Sequence, residues 1–149
     1  MARSLLFLCT GNYYRSRYAE ELFNYRANLS KLNWRAFSRG AAERGSLDNV
    51  GPMSPFALEG LEARGIQPAG NLRYPQPCTS PDLECADLII ALKESEHRPL
   101  IERRFPDMAN RVTYWHVHDM DIARPAIALA LIDELVEDLV NSLSDAGVP

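Results

Sequence analysis

The stretch LFLCTGNYYRSRYAEELFNY, from Leu6 to Tyr25, changes its period partway along. With Leu5 before it, it opens as an apolar run of the kind a strand buried on both faces requires. The run from Leu5 to Leu8 stops at Cys9. A short loop with Gly11 and Asn12 follows, and Arg15 stands six residues after the cysteine. From Ser16 to Leu29 the pattern is helical: Tyr18, Leu22, Tyr25 and Leu29 recur at steps of three and four residues. Strand, loop and helix thus put a thiol and a guanidinium at the two ends of one turn.

Outward from this turn, strand and helix patterns keep alternating. Trp34 to Ser38 reads as a second strand, and residues 39–53, with three glycines and a proline, as a loop. Ser54 is placed to cap a helix through about Arg64, with Pro55 at its first position and Gly65 just past its end. Residues 66–80 are a surface loop with several prolines. Asp87 to Leu92 is the second strongly apolar strand, and residues 94–104 form a helix that stops short of Pro106. Val112 to Val117 is a last strand, and Ala126 to Leu143 a long amphipathic closing helix. The alternation predicts an α/β fold, a doubly wound four-stranded parallel sheet with helices on both faces. In such sheets ligands sit beyond the carboxyl ends of the strands. Cys9 stands at one of those ends.

The chain's 149 residues suit a single domain, 1–149, with a proper core. At 46% hydrophobic and 24% charged the composition is that of an ordinary globular protein, and a net charge of −4 offers no basic surface to nucleic acid or to an anionic membrane. No apolar run reaches the roughly 18 residues of a membrane span, and MARSLLFLC is too short an apolar core for a signal peptide. The expected location is the cytoplasm. Three cysteines, Cys9, Cys78 and Cys85, are an odd number and not a disulfide framework. In a reducing compartment, a cysteine in a special setting points to catalysis.

The setting of Cys9 is special. A loop entering a helix N-terminus turns its amides inward, and the helix dipole adds partial positive charge, so the loop is a nest for an oxyanion. Arg15 adds a planar fork for two phosphate oxygens. The same field favours anionic sulfur, and a thiolate beneath a bound phosphate is a nucleophile aimed at phosphorus. Gly11 is expected to let the backbone turn tightly, Asn12 to take a left-handed conformation or bond within the loop, and Ser16 to donate to the sulfur. Thr10, Tyr13 and Tyr14 complete the substrate-binding loop; the two tyrosines put aromatic rings at or near the pocket mouth, or else one of them, Tyr14, packs inward.

Leu-Phe-Leu-Cys9-Thr10-Gly11-Asn12-Tyr13-Tyr14-Arg15-Ser16 resembles the signature of the low-molecular-weight protein tyrosine phosphatases and of their arsenate-reductase relatives. The likeness covers nearly the whole chain; Ser38-Arg39-Gly40 looks like that family's Ser-x-Gly after the second strand. The resemblance implies a phosphocysteine intermediate on Cys9, Arg15 holding the phosphoryl group, Ser38 with Asn12 bracing the loop, and neither metal nor other cofactor. It also implies a phosphotyrosine protein or small aryl phosphate as substrate.

The leaving oxygen needs a proton donor within hydrogen-bond reach. The family carries an Asp-Pro pair after the last strand. Here that segment reads Trp115-His-Val-His-Asp119-Met120-Asp121, without the proline. Asp119 is favoured as the acid, with Asp121 the competitor. Missing Asp-Pro leaves open a phosphate- or phosphotyrosine-binding module that does not turn over. His116 and His118 share a strand face and lack a third metal ligand.

Tyr14 stands where many relatives carry a second cysteine, so a neighbouring thiol cannot shield Cys9 from oxidation within the loop. Cys78 and Cys85 have the spacing of the resolving pair in thioredoxin-coupled arsenate reductases, which keeps arsenate reduction as an alternative. Both precede the strand Asp87 to Leu92, however. A strand of that length spans roughly 17–20 Å, so the pair is expected at the end of the sheet away from Cys9. Cys78 reads as a loop residue and Cys85 as the core residue of a short helix.

Overall fold

Strand β1 (Arg3–Cys9) is fully enclosed from Leu5 onward because both its faces are covered. The computed structural model describes residues 2–146; Met1 and residues 147–149 of the expected 1–149 domain lie outside them. Chain order continues with α1 (Arg15–Leu29), β2 (Trp34–Gly40), α2 (Pro55–Ala63), α3 (Ser80–Cys85), β3 (Leu88–Ala91), α4 (Glu94–Arg104), a 3-10 turn (Pro106–Arg111), β4 (Thr113–Tyr114) and α5 (Pro125–Ala146). The four strands form one parallel sheet in the order β2-β1-β3-β4, as expected for a doubly wound fold.

Alternation along β1 builds both halves of the core. Leu5, Phe7 and Cys9 point to a layer made with Tyr18, Leu22 and Phe23 of α1, Leu61 of α2, and Ile132, Val136 and Val140 of α5. Leu6 and Leu8 point to the opposite layer, with Leu83 of α3, Ile89 and Ala91 of β3, and Ile101 of α4. The inward stripe of α1 is Tyr18, Ala19, Leu22, Phe23 and Ala27; Tyr25 and Leu29, counted into that stripe by spacing, are exposed. Asn24 bonds both the amide and the carbonyl of Ala36 and so shields the edge of β2.

Local signals set several boundaries. The Ser54 hydroxyl accepts from the amide of Phe56 at 3.2 Å and caps α2. Gly65 takes φ +72° after its end. Thr79 and Asp82 form a reciprocal capping box on α3. The last strand is shorter than the expected Val112–Val117. After Tyr114 the amides of Trp115 and Val117 bond the carbonyls of Ala91 and Leu92, the amide of Glu94 bonds the Trp115 carbonyl, and His116 bridges antiparallel to Lys93. His116 and His118 are therefore exposed loop residues rather than neighbours on a strand face. Among the described residues, no three His, Cys, Asp or Glu side chains group as metal ligands.

Candidate active site

The turn from Cys9 to Ser16 folds round Asn12. This residue is completely buried and carries φ +54°, a left-handed conformation that asparagine tolerates better than most residues. Its amide nitrogen donates to Ser16 Oγ at 3.0 Å and Ser38 Oγ at 2.9 Å. Its amide oxygen accepts from Arg73 Nη1 at 3.0 Å and the backbone of Gln76 at 3.1 Å. Four bonds to three segments fix the loop from beneath. Ser38 in turn donates to Glu20 Oε1 at 2.6 Å. Burial raises the pKa of Glu20 despite that bond.

Gly11 does something other than the tight turn expected of it. The left-handed residue is Asn12, and Gly11 is needed for close approach. A Cβ there would stand 3.0 Å from the Cα of Gly45, so the 41–53 loop could not lie against the phosphate loop. Gly40 likewise faces the carbonyl of Thr10, at 2.9 Å from a would-be Cβ.

Cys9 and Ser16 close the turn, with sulfur and hydroxyl 2.9 Å apart. Arg15 is buried. Its Nη1 donates to the carbonyl of Val117 at 2.9 Å, and its Nη2 lies 3.5 Å from Asp119 Oδ2. A pocket opens here, lined by Cys9, Thr10, Gly11, Tyr13, Tyr14 and Arg15 of the loop and by Asn49, Asp119 and Met120. Asp119 Oδ1 accepts from the amide of Met120 at 2.9 Å, and its carbonyl accepts from Ile122 and Ala123, so the aspartate sits on a turn of its own. Asp121 is exposed and outside the lining. Of the expected site residues, Asn12, Ser16 and Ser38 are buried beneath the loop and do not line the pocket.

The two tyrosines divide, although both line the pocket. Tyr13 is half-buried at the mouth, and its hydroxyl donates to the carbonyl of Val50 at 2.6 Å, tying the mouth to the 41–53 loop. Tyr14 is buried, its hydroxyl without a hydrogen-bond partner. Burial, and next the charge of Asp119, pushes that hydroxyl up to about 12, so it remains protonated.

The cysteine pair corrects the expectation in two ways. Cys78 lies at the same end of the sheet as Cys9: its amide bonds the carbonyl of Gly40, the register partner of Cys9. It faces the other layer, however, among Leu6, Leu8 and Leu83. Burial, with Asp82 adding to it, pushes its thiol up to about 12, which leaves a poor nucleophile. Cys85, expected in the core, is the exposed one, because the single inward side chain of six-residue α3 is Leu83. No second thiol joins Cys9 in the pocket.

Sequence reasoning missed several residues that build the site. Arg17 is 1% exposed. Its guanidinium reaches the carbonyls of Asn12, Pro52, Gly70 and Arg73, joining three loops. Glu96 and His97, in the first turn of α4, bind Arg15 and Thr10. Their partners lie more than 80 residues away in sequence, so helical spacing carries no sign of them.

A family model described as low molecular weight phosphotyrosine protein phosphatase matches residues 4–143. No curated protein matched the sequence. Solved structures do. A low molecular weight protein tyrosine phosphatase from T. tengcongensis shares 25% identity at TM-score 0.78, over 95% of this chain and 99% of that one. A low molecular weight phosphotyrosine phosphatase from Vibrio cholerae O395 shares 23% at TM-score 0.82, over 99% and 100%. The YwlE arginine phosphatase from Geobacillus stearothermophilus shares 21% at TM-score 0.76, over 97% and 94%. The match runs through the loop that sets a cysteine and an arginine at one pocket: this chain belongs to the low molecular weight phosphotyrosine protein phosphatases, which are cysteine-dependent phosphoric monoester hydrolases.

Proposed function

We propose that the protein removes phosphate from phosphotyrosine in proteins, with Cys9 as nucleophile, Arg15 as phosphate ligand and Asp119 as general acid. The observation that carries the reading is the shared pocket: thiol, guanidinium and carboxylate open onto one space. The phosphoryl group sits on the loop amides and the Arg15 fork, which stabilise charge on its equatorial oxygens. Cys9 Sγ attacks phosphorus in line as the bond to the tyrosyl oxygen breaks, and the Asp119 carboxyl gives that oxygen a proton. The Asp119 carboxylate then takes a proton from water as the water attacks phosphorus. The S–P bond breaks, and the Ser16 hydroxyl receives the thiolate with a hydrogen bond. Tyr13 at the mouth offers a ring against which an aryl group can stack. Asn12 and Ser38 hold the loop and touch no reacting atom. A cytoplasmic location fits, since a reducing compartment keeps the thiol free.

Peptides carrying phosphotyrosine, phosphoserine or phosphoarginine separate the substrate classes. The reading predicts release of phosphate from the phosphotyrosine peptide at the highest kcat/KM. Preference for phosphoarginine would contradict it and place the chain functionally with the YwlE relative.

A further inference from the structure

Glu96 has no step in this mechanism, yet it is tied to Arg15 by two bonds. Its two oxygens meet the two terminal nitrogens of the guanidinium, Oε1 to Nη2 at 2.8 Å and Oε2 to Nη1 at 3.2 Å, fork on fork. The hydroxyl of Thr10 also donates to Oε1. His97, fully buried, stands behind: its Nε2 is 3.1 Å from Thr10 Oγ1 and 3.6 Å from Glu96 Oε1. Its Nδ1 accepts from the amide of Lys93 at 3.0 Å, so the imidazole proton is on Nε2 and points at Thr10. The bonds thus run in one direction, from Lys93 N–H through His97 and Thr10 to Glu96, where Arg15 arrives from the other side. Glu96 does not line the pocket that Cys9 and Arg15 share.

The ordinary role for an acid in a first helical turn is to serve its own helix, by the dipole or by reaching back to the cap amide. Here the amide of Lys93 is taken by His97. The bonds of Glu96 run to Thr10 and Arg15, on a different element. The carboxylate is spent on the phosphate loop.

We propose that Glu96 is a positioning residue, a carboxylate at the start of α4 that fixes the Arg15 guanidinium and the Thr10 side chain in register with Cys9. It rests on the phosphatase reading above. Arg15 is then held at its outer edge by Glu96 and by the carbonyl of Val117, and its fork does not have to be ordered by each arriving substrate.

The test uses Glu96→Ala, Glu96→Gln, Thr10→Val and the Glu96→Ala/Thr10→Val double variant. Readouts are kcat and KM on p-nitrophenyl phosphate, calorimetric affinity for inorganic phosphate, and Tm. Positioning predicts that Glu96→Ala loses about tenfold or more in both kcat/KM and phosphate affinity. Glu96→Gln, which keeps one acceptor for Nη2, falls between. Thr10→Val costs less on the Glu96→Ala background than alone, because Thr10 reaches Arg15 through Glu96. Lowered Tm with unchanged kcat/KM and phosphate affinity would reduce Glu96 to a helix stabiliser and overturn the proposal. Higher kcat/KM in Glu96→Ala would overturn it too, showing a carboxylate that competes with phosphate. Wild type that binds phosphate without turnover would sink the hydrolase reading alone, since phosphate affinity still reads the positioning.

Discussion

The sulfur of Cys9 and the hydroxyl of Ser16 lie 2.9 Å apart, at opposite ends of one turn. Asn12 donates to Ser16 Oγ at 3.0 Å, which leaves the hydroxyl its own proton to give to an anionic sulfur. In the mechanism proposed above, that proton matters most when sulfur leaves phosphorus as a thiolate. Ser16→Ala should lower kcat by about 10- to 100-fold with little change in KM. Rapid quench should show a burst, because the phosphoenzyme forms faster than it breaks down. Equal slowing of the burst and the steady state would place Ser16 elsewhere in the cycle.

The two aspartates should separate cleanly. Asp119→Asn removes the proton donor proposed above and should cost about 10²–10⁴ in kcat on a phosphotyrosine peptide. The loss should shrink on p-nitrophenyl phosphate, whose leaving group departs without a proton. Asp121→Asn, exposed and outside the pocket, should stay within about twofold of wild type. A larger loss in Asp121→Asn than in Asp119→Asn would exchange their roles.

Local patterns made the main elements legible before the structure. The apolar run ending at Cys9, the Ser54–Pro55 start of α2 and the helix over 94–104 are each written in adjacent residues, and each is found. The phosphate loop was legible for the same reason, being one continuous turn. What could not be read depends on partners brought together by the sheet. Arg17 is a charged residue in a helical pattern, where exposure is the ordinary expectation. Only the folded loops at Asn12, Pro52, Gly70 and Arg73 supply carbonyls that make its burial tolerable. Cys78 and Cys85 show a different limit: their spacing is visible, but Cys78 is buried by the pairing of its segment with Gly40, and Cys85 is exposed because α3 turns Leu83 inward.

Arg17 should be among the most sensitive positions for stability. Its removal leaves four carbonyls of three loops to find other donors, at a cost of about 3 kcal/mol or more. Burial, and then repulsion from Arg73, draws its pKa down to about 10, which still leaves it charged at neutral pH. Arg17→Ala should lower the denaturant midpoint. Arg17→Lys should not restore it, because one ammonium cannot span four acceptors that a guanidinium fork reaches. Full rescue by lysine would show that charge alone matters.

Stability should also report on His97. Burial holds its pKa below the ordinary histidine value in spite of Glu96, so the folded protein keeps it neutral. The unfolded chain takes up a proton below about pH 6.5. Here the unfolded state binds more protons, so stability falls as pH drops through that value, by at most about 1.4 kcal/mol per pH unit from this group. Glu96 acts in the same direction at more acid pH: burial opposes its charge, but the neighbouring His97, Arg15 and Thr10 side chains hold its carboxyl well below the usual range. Denaturant titrations of wild type and His97→Gln between pH 7 and 5 should show a shallower slope in the variant. Parallel slopes would contradict a neutral buried His97.

The most direct measurement is hydrolysis of p-nitrophenyl phosphate by wild type and Cys9→Ser, side by side from pH 5 to 8 with chelator present. Covalent catalysis through Cys9 predicts metal-independent turnover in the wild type and background rates in the variant, with phosphate still bound by both. Turnover that survives in Cys9→Ser, or that chelator abolishes in the wild type, would contradict it.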